Sequence, residues 1–110
     1  MASWEIKYWP GNKKIERWFK KLTDAEAKSV AEKLIMLEKC GNEWRLPHSR
    51  SLGKKLFELR ERLYEFRIYY AFHEEKIIVL LVAGQKTTQE NDIKLARERL
   101  KELTNYKEKL

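Results

Sequence analysis

Charged and hydroxyl-bearing side chains recur at alternate positions along two stretches of the sequence. Glu58 and Arg60 alternate with apolar residues in the first stretch, and Arg67 and Tyr69 do so in the second. Because alternate residues of a β-strand point to the same face, we expect these four side chains to share one face of a sheet. Lys86 follows the next apolar stretch and would lie beside them. A guanidinium matches two phosphate oxygens at once, so this face suits a polyanion such as RNA.

The segment that precedes these strands, residues 45–55, is strongly basic. It contains no acidic residue and supplies +4 of the net charge of +7 carried by the 110 residues. Its cationic and histidine side chains are Arg45, His48, Arg50, Lys54 and Lys55. Cations for phosphates, interleaved with rings for bases, are typical of surfaces that bind single-stranded RNA. The alternative is a solvated surface on which Arg60 pairs with Glu58 or Glu65 and contributes little to stability.

The elements that must position these residues begin with a strand and two helices. Residues 3–9 alternate as a strand, and Pro10 and Gly11 indicate a turn. Apolar residues then recur with helical spacing over 15–22, and again over 27–37. Thr23 or Asp24 would cap the second helix and Gly41 would end it. Two helices joined by about two residues form a helical hairpin.

The rest of the chain indicates a sheet and a final helix. Residues 42–53 show no clear period and are expected to form a loop or a short irregular element. Residues 54–60 and 63–72 alternate as strands, whereas 77–82 are apolar on both faces and predict a buried strand. Residues 87–103 return to helical spacing. The order β-α-α-β-β-β-α predicts an α+β fold, in which helices cover one face of an antiparallel or mixed sheet and leave the other partly open.

Length and composition limit the class of protein. The 110 residues suit one domain, 1–110, and 43% hydrophobic with 37% charged residues is too apolar for disorder and too charged for a membrane protein. No apolar run approaches the roughly 18 residues of a membrane span, and we expect no signal peptide. The single cysteine, Cys40, excludes an internal disulfide framework and fits the cytoplasm. It has no histidine or second cysteine at metal-ligand spacing, so no metal or cofactor is expected.

The segment over residues 46–102 resembles the core of the RelE/ParE toxin superfamily, and most closely its phage-derived HigB-like branch. The motifs that carry the resemblance are Leu52-Gly53-Lys54, Phe57-Glu58-Leu59-Arg60, Phe66-Arg67, Lys86-Thr87-Thr88-Gln89, and Ile93 with Ala96 and Arg97. Each motif is weakly specific, but their order and spacing together indicate the superfamily. The resemblance implies the RelE-like microbial ribonuclease fold, with a helical hairpin, a sheet and a C-terminal helix.

The resemblance also implies a function. Such proteins are toxins of type II toxin–antitoxin systems that cut mRNA in the ribosomal A site, and an antitoxin holds them inactive, here expected to be HigA-like with a helix-turn-helix. Cleavage needs no metal, because the ribose 2′-hydroxyl attacks the adjacent phosphate. Arg60, Arg67 and Lys86 would stabilise the developing charge, and Lys54 and Lys55, with Arg45 and Arg50, would bind mRNA or the ribosome.

The groups that would transfer protons are less defined. His48 is a candidate because histidine normally titrates near neutral pH, and Glu58 and Tyr69 are further candidates on the predicted open face. The sequence also departs from the superfamily pattern, because Gln85-Lys86 stands where two lysines are usual. Two other functions therefore stay open: a ParE-like inhibitor of DNA gyrase, and a phage-derived module that binds RNA or protein without cutting.

Overall fold

The fold is built on one mixed sheet with helices on both faces. The computed structural model describes residues 4–44 and 48–103. In chain order, the elements are β1 (Glu5–Tyr8), α1 (Lys14–Lys20), α2 (Asp24–Cys40), β2 (Ser49–Gly53), β3 (Leu56–Glu61), β4 (Phe66–His73), β5 (Ile77–Gln85) and α3 (Gln89–Glu102). Short 3₁₀ turns at Gly41–Glu43 and Lys86–Thr88 follow α2 and β5. The α+β class and the helical hairpin are therefore confirmed.

Within the described residues, the sheet has five strands in the order β1-β5-β4-β3-β2. β1 runs parallel to β5, and the remaining neighbours are antiparallel. β5 is apolar on both faces because it pairs with a strand on each side and packs against helices above and below. A bulge in its pairing with β4 lies between Tyr69 and Tyr70.

The helices begin and end where local chemistry requires. The Thr23 hydroxyl accepts from the Glu26 amide at 3.2 Å, and the Glu26 carboxylate accepts from the Thr23 amide at 2.8 Å, which is a complete capping box at the start of α2. Gly41 ends α2 at φ 53°, a conformation that favours glycine. A Cβ at Gly41 would lie 2.0 Å from the Trp4 indole nitrogen, so the close approach of the two segments also needs glycine there.

Two apolar clusters lie on opposite faces of the sheet. One joins Val30 and Leu37 of α2 to Leu59, Ile68 and other sheet residues. The other joins Ala96 of α3, and Leu103 just beyond it, to the opposite sheet face. α1 packs against β5 and contributes residues to both clusters. The prediction of a partly open second face is therefore wrong, because α3 covers it.

Two local predictions about the basic segment also change. Residues 49–53 form the edge strand β2 rather than a loop, and they pair with β3 from Ser49 opposite Leu59. Lys54 and Lys55 belong to the turn between β2 and β3, where their φ angles are 51° and 70°.

The turn before β4 occupies residues 62–65 and is fixed by Glu61, whose carboxylate accepts from the amides of Leu63 and Tyr64 at 3.0 and 2.9 Å. The Ser29 hydroxyl donates to the same carboxylate at 2.5 Å.

Among the described residues, no helix is both long enough and apolar enough to cross a lipid bilayer.

Candidate phosphate-binding site

Strand pairing brings four of the predicted side chains onto one face of the sheet. Glu58 of β3 lies opposite Tyr69 of β4, and Arg60 lies opposite Arg67. On the other side of β3, Arg50 of the edge strand lies opposite Glu58. Directly opposed residues in antiparallel strands share a face, so these five side chains form a continuous group beneath and beside α3.

Glu58 is the centre of this group. Its carboxylate is fully buried, and its Oε1 accepts a hydrogen bond from Arg50 Nε at 3.0 Å. Arg60 Nε lies 3.6 Å from the same oxygen. Oε2 accepts from the side-chain amide of Gln89, the first residue of α3, at 2.5 Å. A buried carboxylate is stable only with such donors, so Glu58 ties β2, β3 and α3 together.

The arginines around Glu58 differ from it in exposure. The side chains of Arg50 and Arg60 are 41% and 30% exposed, whereas Glu58 is inaccessible. The contacts with Glu58 use the Nε atom of each arginine and so do not occupy the Nη atoms. Two cationic groups are thus anchored from below at the protein surface, which is an arrangement suited to an anion such as phosphate.

Tyr69 and Arg67 are buried, in contrast to the expectation of an open face. α3 lies over them. Gly84 of β5 allows α3 to approach closely, since a Cβ at position 84 would be 2.1 Å from the Asp92 carboxylate. Burial raises the pKa of the Tyr69 phenol, and the nearby carboxylates of Glu58 and Asp92 raise it further, while Arg67 acts in the opposite direction. Tyr69 therefore keeps its proton throughout the neutral range.

Arg67 is 4% exposed and is held at the end of the sheet. Its Nη1 donates to the Phe66 carbonyl at 3.0 Å, and its Nη2 lies 3.4 Å from the Glu65 carboxylate. The Lys86 amide donates to the Glu65 carbonyl at 2.9 Å, which places the exposed Lys86 beside the same turn. Arg67 and Lys86 thus flank the turn before β4, with only Lys86 open to solvent.

His48 lies apart from the carboxylate group. Its Nδ1 is 3.2 Å from Lys33 Nζ of α2, and its ring stacks on Trp44 with centroids 5.1 Å apart. Only its main chain approaches the site, where its carbonyl accepts from the Arg60 amide at 2.8 Å. The structure therefore does not bring the His48 ring to Glu58 or Tyr69.

The basic turn between β2 and β3 packs against α3. Arg97 donates to the carbonyls of Leu52 and Gly53 at 2.8 and 3.3 Å. Lys54, Arg97 and Lys101 line one shallow groove with Leu100, and Lys55 is exposed beside it. We call Lys54, Lys55, Arg97 and Lys101 the basic ridge. Arg45, also predicted to bind RNA, lies outside the described residues.

Sequence reasoning took Gln89 and Arg97 only as parts of family motifs and assigned neither of them a role in the site. Arg97 and Lys101 are four residues apart on a predicted helix, so helical spacing could have placed both on one exposed stripe. Gln89 carries no such signal, because its contact depends on where α3 packs. In the part of the chain that the structure describes, no three histidine, cysteine, aspartate or glutamate side chains are grouped to hold a metal ion.

Comparison with known proteins places the chain in a family. Residues 17–101 match the family described as phage derived protein Gp49-like. The chain belongs to this family. The match spans the end of α1, all of α2, most of α3 and every described strand except β1, so it covers the described part of the candidate site. No curated protein matches the sequence.

Solved structures show that this Gp49-like chain has the RelE fold. A mutant of the E. coli toxin RelE in the free state superposes with a TM-score of 0.60 at 11% identity, covering 84% of this chain and 96% of that one. The isolated E. coli RelE toxin gives 0.57 at 13% identity, with 84% and 98% covered. RelE from an archaeal RelE–RelB complex of Pyrococcus horikoshii gives 0.53 at 19% identity, with 78% and 97% covered. The RelE-like fold that the sequence resemblance implied is thereby confirmed.

Proposed function

We propose that this Gp49-like protein is the toxin of a type II toxin–antitoxin pair and cuts mRNA on the ribosome. The observation that carries the proposal is the group of Arg50 and Arg60, two partly exposed cations anchored on one buried carboxylate. The RelE fold and the family match support it, because they place that group on a scaffold shared with known toxins. Lys86, exposed at the end of the same sheet, adds a third cation.

In the proposed reaction the ribose 2′-hydroxyl loses its proton and its oxygen bonds to the adjacent phosphorus. The bond from phosphorus to the 5′-oxygen of the next nucleotide breaks, and that oxygen takes up a proton. The products are a 2′,3′-cyclic phosphate and a 5′-hydroxyl. The phosphorane that forms carries one more negative charge than the phosphodiester, so cations placed beforehand stabilise it more than the substrate. Arg50 and Arg60 are the groups placed to do this, and Lys86 at the end of β5 adds positive charge on the other side of β4.

Burial changes the roles proposed for the other predicted residues. Glu58 and Tyr69 are inaccessible, and Arg67 is almost so, so in this conformation none of the three contacts RNA. Glu58 instead orients the exposed arginines Arg50 and Arg60. Tyr69, whose raised pKa keeps it protonated, suits a hydrogen-bond donor within the buried group and not a base. His48, half-buried beside Lys33 and Trp44, is proposed to line the path of the RNA on the α2 side.

The basic ridge is the proposed contact for the RNA backbone or the ribosome. Lys54, Lys55, Arg97 and Lys101 lie on the turn between β2 and β3 and on the adjacent part of α3, next to the edge strand that carries Arg50. Phosphate contacts of this kind position the RNA without reading its sequence. The proposed regulator is an antitoxin that binds the toxin, in the way that RelB forms a complex with the archaeal RelE. A HigA-like helix-turn-helix protein is the expected type. The cytoplasm, where ribosomes translate, is the proposed compartment.

The first test is induced expression of the wild type and of Arg60→Ala in a bacterial host. We expect growth arrest with new mRNA 5′ ends inside translated codons, and at least a tenfold loss of these cuts in the variant. Arg60 is a better choice than Arg67, because removing the buried Arg67 would perturb the fold. Arg62→Ala is the matched control, since Arg62 is exposed and lies two residues away.

Arrest with intact mRNA and blocked DNA replication would replace the proposal with gyrase inhibition. Normal growth with both proteins would point instead to a module that binds without cutting, in line with the single lysine at Lys86.

A further inference from the structure

The side chain of Gln89 closes the buried part of the site. Gln89 is the first residue of α3, and its Nε2 donates to Oε2 of Glu58, 31 residues earlier in the chain. That carboxylate is fully buried on β3. The hydrogen bond is therefore a direct link between the start of α3 and the centre of the candidate site, and none of the roles proposed above uses it.

The start of α3 is itself held in place. The Thr88 hydroxyl donates to the Asp92 carboxylate at 2.6 Å and lies 3.1 Å from the Gln85 carbonyl. Gly84 leaves the space that Asp92 occupies. Since these contacts join α3 to the end of β5, the position of Gln89 is determined by the backbone on both sides of it.

The opposite oxygen of Glu58 faces the arginines. Oε1 accepts from Arg50 Nε at 3.0 Å and lies 3.6 Å from Arg60 Nε. A carboxylate held at one oxygen only can rotate about its terminal bond, and each rotation would move the acceptor away from Nε. A second hydrogen bond, at Oε2, removes that freedom. Gln89 thus fixes the plane of the carboxylate, and the carboxylate holds Arg50 by a hydrogen bond and Arg60 by an ion pair.

We infer that Gln89 is a positioning residue: through Glu58 it holds Arg50 and Arg60 in the orientation that binds one phosphate. Glu58 and Gln89 do not contact the phosphate in this arrangement, and the two arginines do. The inference rests on the proposed function for its catalytic consequence, because the ligand is taken to be a phosphodiester of RNA. The orientation of the arginines by Gln89 is a property of the protein alone and is measurable without RNA.

Two substitutions of Gln89 separate the effect of its hydrogen-bond donor from the effect of its side-chain shape. Gln89→Met keeps an unbranched side chain of similar length but removes the donor, whereas Gln89→Lys retains a donor for Glu58. Asn91→Ala, at an exposed position in the same helical turn, is the control. For each purified protein we would measure hydrogen exchange of the arginine Nε–H groups by NMR, the melting temperature, and single-turnover cleavage of mRNA on programmed ribosomes at saturating and limiting toxin.

For Gln89→Met we expect the Nε–H of Arg50 to exchange about three- to tenfold faster, as loss of one hydrogen bond implies. The cleavage rate at saturation should fall about tenfold, while the concentration for half-saturation changes less than threefold. Gln89→Lys should restore both the exchange and the rate, and Asn91→Ala should match the wild type.

Two results would overturn the inference. One is Gln89→Met with wild-type exchange and wild-type cleavage rate. The other is a rate loss that follows the melting temperature and that Gln89→Lys does not restore, since that would assign Gln89 a structural role only. A wild type that does not cleave would instead refute the proposed function, and the exchange measurement would still decide whether Gln89 orients the arginines.

Discussion

At the scale of single residues, the strand pattern predicted which side chains would meet but not how deeply they would be buried. Alternation placed Glu58, Arg60, Arg67 and Tyr69 on one face, and the pairing of β3 with β4 does bring them together. Exposure depends on the layer above, which a strand pattern does not encode. His48 shows a second limit, because at the end of a strand its ring turned toward α2 and Trp44 for contacts distant in sequence.

The buried phenol of Tyr69 predicts a specific loss of stability at alkaline pH. Its pKa is raised in the folded protein, whereas in the unfolded chain it returns to about the ordinary 10.0. The contribution of Tyr69 to the free energy of unfolding is thus fully present below pH 10. It declines as the pH rises above 10, by up to about 1.4 kcal/mol per pH unit. Urea unfolding at pH 9, 10 and 11 should show this slope in the wild type and a shallower one in Tyr69→Phe.

Tyr64→Phe is the control for the loss of a hydroxyl, because Tyr64 is only half-buried and lies in the turn before β4. Equal slopes for Tyr69→Phe and the wild type would show that Tyr69 does not couple ionisation to folding.

At the scale of elements, the helices were easier to predict than the edge strand of the sheet. Both hairpin helices and α3 follow from apolar spacing, and Thr23 proved to be the cap because the capping box with Glu26 selects it. β2 was missed because Ser49–Gly53 is a polar strand that pairs on one side only, so it needs no apolar alternation. The second helical layer could have been predicted from the sequence. Residues 77–82 are apolar on both faces, and a strand of that kind must be covered by other elements on both faces.

The junction between β5 and α3 predicts an energetic coupling. A methyl group at position 84 would overlap the Asp92 carboxylate and press on the Thr88 hydroxyl at 3.0 Å. In Gly84→Ala we expect Asp92 to rotate away and lose its hydrogen bond with Thr88, at a cost of about 1–2 kcal/mol in the free energy of unfolding. Chemical denaturation would measure it.

The double variant Gly84→Ala with Asp92→Ala distinguishes a local clash from a general loss of packing. If Asp92 is the obstacle, the cost of the alanine at position 84 should fall to within about 0.5 kcal/mol of zero in the Asp92→Ala background. Full additivity of the two substitutions would contradict this account of the junction.

At the scale of the whole molecule, the net charge of +7 raises the question of whether RNA binding depends on total charge or on where the charge lies. The two have different salt dependence, because only cations that contact phosphates release counterions from RNA, each contributing about 0.7 to the slope of log affinity against log salt for a single strand. The basic ridge concentrates such cations beside Arg50, whereas α2 carries exposed lysines on the far side of the sheet.

Paired substitutions of equal charge test which view holds. Lys54→Gln with Lys55→Gln, and Lys28→Gln with Lys39→Gln, each lower the net charge from +7 to +5. We expect the first pair to reduce the salt slope of single-stranded RNA binding by about 1.4, as two lost phosphate contacts imply, and the second pair to leave it nearly unchanged. Titrations with a short fluorescent RNA at several salt concentrations would give both slopes. If the two pairs weaken binding equally, attraction by net charge explains the affinity, and the basic ridge is not a contact surface.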